Sequence, residues 1–211
     1  LILFATSTCN QRCAHCFYAD SLNKKDDLTN DEIRGISNEL GQIDTVLFSG
    51  GEPFLKRDLA VVAQMFYEKN GTRKFSIPTN ATKGDWVVEG LTDMRRRCPD
   101  AIVDIYFSFD GMAETHNRIR DFPNAFELSM NNCRRILDHF REDDRFRFEV
   151  ASTVMDRNVD ELKALTEHVN KRFDERLGVA FSFLRGEPKD KTLRLPPPRE
   201  LYELHRNVAP V

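Results

Sequence analysis

The chain has 211 residues, 40% of them hydrophobic and 31% charged, which is enough apolar material for one sizeable core and too much for a disordered chain. Lys and Arg total 31 against 34 Asp and Glu, so no overall basic field exists to hold a nucleic-acid backbone, and nucleic acid is not an expected partner. No apolar run approaches the roughly 20 residues of a membrane helix, so no membrane span is expected.

The chain opens in a strand-like run at residues 2–5, without an initiator Met and without the charged front of a signal peptide. It reads as a fragment of a longer protein. Five cysteines, three of them within eight residues, argue against a disulfide framework and for a reducing, cytoplasmic setting. Further strands are predicted at residues 45–48, 74–78, 102–107, 147–154 and 179–184, all short and rich in β-branched or aromatic residues.

Five helical patterns lie between these strands. The first starts at Thr29, with Glu32 completing a capping box and Ile33, Ile36 and Leu40 on one face, and stops at Gly41. The second follows Asp58 with Leu59, Val62, Ala63 and Phe66. A third starts at Asp85 with Val88, Leu91 and Met94, and a fourth carries Phe126, Met130, Cys133, Leu137 and Phe140. The fifth begins around Asn158, read as an N-cap, with Leu162, Leu165 and Val169 inward. Alternating strands and helices specify right-handed β-α-β units on a parallel α/β sheet, either closing as a barrel or open and doubly wound. Residues 1–188 form the expected core domain. Residues 189–211, with Pro196-Pro197-Pro198 and a short helix at 200–207, are expected to be a linker and the start of a C-terminal extension.

Every unusual polar segment falls just after a strand, at the edge where parallel α/β folds place their sites. Cys9-x3-Cys13-x2-Cys16 follows the first strand and Ser49-Gly50-Gly51-Glu52-Pro53 the second. Thr79-Asn80 follows the third, Ser108-Phe109-Asp110-Gly111 the fourth and Arg185-Gly186-Glu187 the sixth. Thiolates are soft ligands for iron-sulfur clusters, zinc or copper. A structural zinc site usually takes four protein ligands. The other cysteines do not supply the fourth: Cys98 ends a helix far along the chain and Cys133 lies on an apolar face, as a small hydrophobe does. Three cysteines with an open corner suit a 4Fe-4S cluster that keeps one iron for an exogenous ligand.

The triple-cysteine loop followed by Phe17, together with Gly50-Gly51-Glu52-Pro53, resembles the radical S-adenosylmethionine (SAM) superfamily. The resemblance implies a partial (βα)6 barrel of the TIM type, with Cys9, Cys13 and Cys16 on the cluster and SAM on its free iron. It further implies that Gly50 and Gly51 present backbone to the methionyl amino group, side chains there being obstructive, and that Glu52 accepts from the ammonium. His15 and Phe17 would meet the adenine, Ser108 and Asn80 the ribose or carboxylate, and Arg185 a carboxylate or substrate anion. Thr79-Asn80 and Ser108-Phe109-Asp110-Gly111-x4-His116 resemble the subgroup carrying a SPASM or Twitch extension, whose substrates include peptides. By the same resemblance the partners are a substrate, small molecule or peptide, and an electron donor such as flavodoxin or ferredoxin. No side chain is required as acid or base for the initiating step. A non-catalytic iron-sulfur or zinc redox module is the alternative.

Overall fold

A computed structural model describes residues 1–174 and 176–208. Six strands, β1 (Ile2–Thr6), β2 (Thr45–Gly50), β3 (Lys74–Thr79), β4 (Ile102–Ser108), β5 (Phe146–Val154) and β6 (Gly178–Phe183), pair in chain order and all in parallel. Among the described residues β1 and β6 do not pair with each other. The sheet is therefore an open, partial (βα)6 barrel, which settles the choice that periodicity left between barrel and doubly wound sheet. Alternate residues of the strands are sealed under the helices, including Val46, Phe48, Phe75, Ile77, Val103, Ile105 and Phe107. Phe48 and Phe75 stack across β2 and β3 at 5.8 Å, a pairing that adds to plain area burial.

The helices are α1 (Asn30–Glu39), α2 (Leu59–Lys69), α3 (Gly84–Arg97), α4 (Ala113–Arg120), α5 (Ala125–His139), α6 (Leu162–Phe173) and α7 (Pro198–Val208). Thr29 and Glu32 form the reciprocal capping box at the start of α1. The inward face of α1 differs from the expectation, because Ile36 and Leu40 are exposed while Ile33 and Ser37 are buried. The cause is Asn70, at the end of α2. Its amide donates to the carbonyls of Ser37, Leu40 and Gly41, and its oxygen accepts from the Ser37 hydroxyl at 2.7 Å. One buried asparagine thus satisfies the carbonyls that the helix end leaves open and sets the rotation of α1.

Helix α4 was not anticipated. Only Ile119 gives it an apolar signal; the rest of its buried face is Thr115, His116 and Arg120, so no hydrophobic stripe marks it. Asn158 also departs from expectation, since its side chain does not cap the turn at Val159–Glu161. It is buried, and its amide donates to the carbonyls of Asp110 (3.1 Å) and Thr153 (2.8 Å) while its oxygen accepts from Met155 N–H at 2.9 Å. Asn158→Ala is expected to cost about 2 to 3 kcal/mol, because three buried backbone groups lose their partner. The check is a denaturant titration, in which the midpoint should fall at unchanged slope.

After β6 the chain turns back over the cysteine loop. Lys189 N–H donates to the Cys16 carbonyl at 3.1 Å and Asp190 N–H to the Ala14 carbonyl at 2.9 Å. Leu193 is buried with Ile119 and Met155 in a small second cluster, and α7 seats Leu204 in the main core. The start of the stretch expected as a linker is therefore packed against the barrel.

Candidate functional site

One cavity of about 200 Å³ opens at the carboxyl ends of the strands. The loop after β1 contributes Cys9, Cys13, His15, Cys16 and Phe17, and the turn after β2 contributes Gly50, Gly51 and Glu52. Asn80 after β3, Ser108 ending β4 and Arg185 after β6 complete the eleven residues singled out from sequence. Thr79, noted with Asn80 as a strand-end segment, lines it too, as do Gln11, Arg120 and Thr153, which were not singled out.

The cysteine loop is held from below by α4: Ala14 N–H donates to the Ile119 carbonyl at 2.7 Å and Arg12 N–H to the Arg120 carbonyl at 3.4 Å. Burial pushes the Cys9 thiol up to about 12. It also raises Cys13 and Cys16, with the Arg120 charge opposing the rise at both. Thiols this desolvated become thiolates only beside added positive charge, which a metal centre supplies. Gln11 is buried, with its oxygen 3.7 Å from Cys13 Sγ and its Nε2 without a partner among the described residues. An orphaned donor beside a thiol fits a sulfide-bearing group. Among the described residues no three His, Cys, Asp or Glu side chains converge on a point that would hold a single ion.

The glycines answer to a steric requirement within the fold, besides the role the resemblance implied. A Cβ on Gly50 would lie 2.2 Å from the Thr6 carbonyl oxygen and one on Gly51 would lie 2.1 Å from that of Thr8. Gly50 also has φ +112°, which L side chains rarely adopt. Gly51 N–H donates to the Thr6 carbonyl at 2.7 Å and Glu52 N–H to the Thr8 carbonyl at 2.9 Å. The glycine pair is required first because the backbones leaving β1 and β2 touch there. Glu52 is buried, and its carboxylate already accepts from Asn80 N–H and the Thr79 hydroxyl, both at 2.7 Å, and from Phe54 N–H at 3.3 Å. Burial outweighs these donors and raises its carboxyl above the ordinary range. A carboxylate has about four acceptor positions, so one remains for a further donor.

Asn80 is braced by Asn10 at 2.9 Å and by the Thr82 hydroxyl at 2.6 Å. Phe17 is exposed, meets Phe4 edge-on at 6.5 Å and lies under the Arg185 guanidinium at 5.5 Å. Arg185 therefore reaches the cavity rim by stacking on an aromatic face.

Behind the cysteines lies a buried polar network. The Arg120 Nη2 is 2.6 Å from Asp110 Oδ2 and its Nη1 is 3.8 Å from Cys13 Sγ. Asp110 Oδ1 accepts from Thr153 N–H at 2.9 Å. Burial opposes ionisation of Asp110, but the Arg120 charge, the neighbouring histidines and the Thr153 N–H together outweigh it and hold the carboxyl below its ordinary range. His116 Nδ1 accepts from Asp110 N–H at 3.1 Å, which requires a neutral ring, and burial pushes His116 down to about 3 from 6.5.

The unfolded chain takes up the His116 proton at higher pH than the folded chain, so stability is held above 6.5 and lost as pH falls toward 3. By pH 5 the loss from this residue is about 2 kcal/mol. His116→Asn, which keeps an acceptor, should flatten the pH dependence of the urea midpoint by that amount.

An open parallel barrel with three thiols at the mouth of a cavity, backed by strand-end polar groups, defines a site suited to a thiolate-held metal centre with room for a ligand beside it. Residues 3–169 match the profile of the Radical SAM superfamily, and the chain belongs to that family, whose members use a 4Fe-4S cluster and S-adenosylmethionine. The chain is similar to GTP 3',8-cyclase of Haemophilus influenzae (strain PittGG), at 26% identity over 144 residues, 64% of this chain and 43% of that protein. It is similar to AdoMet-dependent heme synthase of Methanosarcina barkeri, at 29% identity over 161 residues, 74% of this chain and 43% of that protein. A structure solved as native anSMEcpe with bound AdoMet and Kp18Cys peptide shares the fold, with TM-score 0.62 at 21% identity, over 98% of this chain and 57% of that one. The chain thus spans less than half the length of these curated relatives. No helix among the described residues is long and apolar enough to cross a membrane.

Proposed function

We propose that this chain is the catalytic core of a radical SAM enzyme, with Cys9, Cys13 and Cys16 holding the cluster and the cavity beside them holding SAM. The observation that carries the reading is the meeting of three desolvated thiols, the orphaned Gln11 amide and the ends of β1, β2, β3, β4 and β6 in one cavity. When bound, cluster and SAM would together supply, with one electron from an external donor, the reductive cleavage of SAM to a 5'-deoxyadenosyl radical for hydrogen abstraction from a substrate, with Cys9, Cys13 and Cys16 holding the cluster.

The residues of this chain bind and orient. Glu52 offers its remaining acceptor position toward a methionyl ammonium, while Gly50 and Gly51 keep the turn beside it narrow. Ser108 and Asn80 are the polar groups for the ribose or carboxylate, and His15 and Phe17 flank the base. Arg185, stacked on Phe17, is placed for an anion at the rim. Residues 1–188 form the core domain in this reading, and the sequence from 189 onward leads toward a C-terminal extension. Membership of the SPASM or Twitch subgroup and a peptide substrate are the finer reading. It is supported by the Ser108-to-His116 motif, whose Asp110 and His116 join in the buried network, and by a fold shared with a protein solved with a peptide bound. The electron donor in this reading is flavodoxin or ferredoxin, and the setting is cytoplasmic.

The test is anaerobic reconstitution with iron and sulfide. A 4Fe-4S spectrum that changes on adding SAM, and 5'-deoxyadenosine formed with dithionite, are expected. Stoichiometric zinc without an iron spectrum would instead establish the non-catalytic module.

A further inference from the structure

Arg120 is an unusual residue to find where it lies. It ends α4, is 7% exposed, and has an Nε with no partner among the described residues. Its partner Asp110 is wholly buried, and their 2.6 Å approach is a contact of opposite charges rather than an aligned hydrogen bond. A buried ion pair seldom repays its desolvation as stability when apolar side chains of similar size would fill the space. The pair therefore calls for a reason other than folding.

The geometry around the pair points toward the cysteine loop. Arg120 turns Nη1 to Cys13 Sγ at 3.8 Å, and the backbone of the same helix end carries Arg12 and Ala14. Guanidinium and thiol are thus keyed to one rigid element. Asp110 is fixed in turn by Thr153, His116 and Asn158. The other titratable group facing it is His15, at 3.7 Å, which burial keeps uncharged.

We propose that Arg120 is a positioning residue that holds a permanent positive charge against the Cys13 thiolate and raises the reduction potential of the cluster bound there, with Asp110 as the counter-charge that limits the effect. This inference rests on the reading of Cys13 as a cluster ligand. A cluster gains one negative charge on reduction, so a fixed cation near a ligand sulfur stabilises the reduced form more than the oxidised one. Arg serves where Lys would not, because burial can strip a proton from an ammonium but not from a guanidinium.

The experiment is a redox titration of the reconstituted chain without SAM, followed by the spectrum of the reduced cluster. Arg120→Met should lower the potential enough to cut the reduced-to-oxidised ratio about tenfold at a fixed poise, which is about 59 mV for one electron. Asp110→Asn, which keeps shape and the acceptor for Thr153 N–H, should shift it the other way. The double variant, which leaves no unpaired buried charge, should fall between Arg120→Met and the unaltered chain. Shifts of opposite sign are not what loosened packing produces. Equal potentials, or both single variants moving the same way, would overturn the proposal. Should Arg120→Met fail to assemble a cluster, an unshifted Asp110→Asn suffices to overturn it. An unaltered chain that takes up no iron overturns the proposed function as well.

Discussion

Cys13→Ala is expected to leave the protein unable to retain a cluster after anaerobic reconstitution. Cys13 is the most enclosed of the three thiols at 9% exposure and sits between Gln11 and Arg120. The two other cysteines would be left with a centre that needs three protein ligands. Iron per chain and the visible absorbance band are the measurements, with Cys9→Ala and Cys16→Ala expected to behave alike. Cys98→Ala and Cys133→Ala are the controls. Both thiols are buried in the main core, and each substitution should keep the iron at a packing cost of about 1 kcal/mol. Retention of iron by Cys13→Ala, or its loss in Cys98→Ala, would refute the ligand assignment.

Gly51→Val is expected to damage the fold at the mouth of the barrel, and loss of SAM binding will be a consequence of that damage. Its Cβ would stand 2.1 Å from the Thr8 carbonyl oxygen and 2.9 Å from that of Ser7. Both are backbone atoms and cannot turn aside as a side chain would. Separating the strands enough to relieve the clash breaks the bonds from Gly51 N–H and Glu52 N–H. Overpacking and two lost hydrogen bonds together place the cost at about 3 to 5 kcal/mol. Thermal unfolding of the apo chain decides it. A variant that melts with the unaltered chain yet binds no SAM would restore the simpler view that the glycine only makes room for the cofactor.

Much of the architecture was legible because it is local. Each strand carries its own β-branched and aromatic run, α1 announces itself by its capping box, and α2, α5 and α6 do so by helical spacing. Helix α4 was hidden because its inward face is polar, and a search for apolar periodicity passes over Thr115, His116 and Arg120. Ile36 and Leu40 were misplaced for the opposite reason. Their spacing fits an inward stripe, but Asn70, 30 residues away from Leu40, rotates the helix to satisfy its last carbonyls.

The site divides in the same way. The cysteine spacing, the glycine pair and the polar residues after each strand stand within short sequence windows, and parallel strand order is enough to bring them to one edge. From the sequence by itself came the βα alternation, the family's cysteine motif and the edge on which the chemistry would sit. Only the tertiary structure decided that the barrel stays open, that Gly50 and Gly51 answer to the carbonyls of Thr6 and Thr8, and that Arg120 lies between Asp110 and Cys13. Those contacts join residues far apart in the chain, separated by 107 positions for Arg120 and Cys13. No local pattern encodes them, because they exist only once the strands have paired and the space between them is too small for anything else.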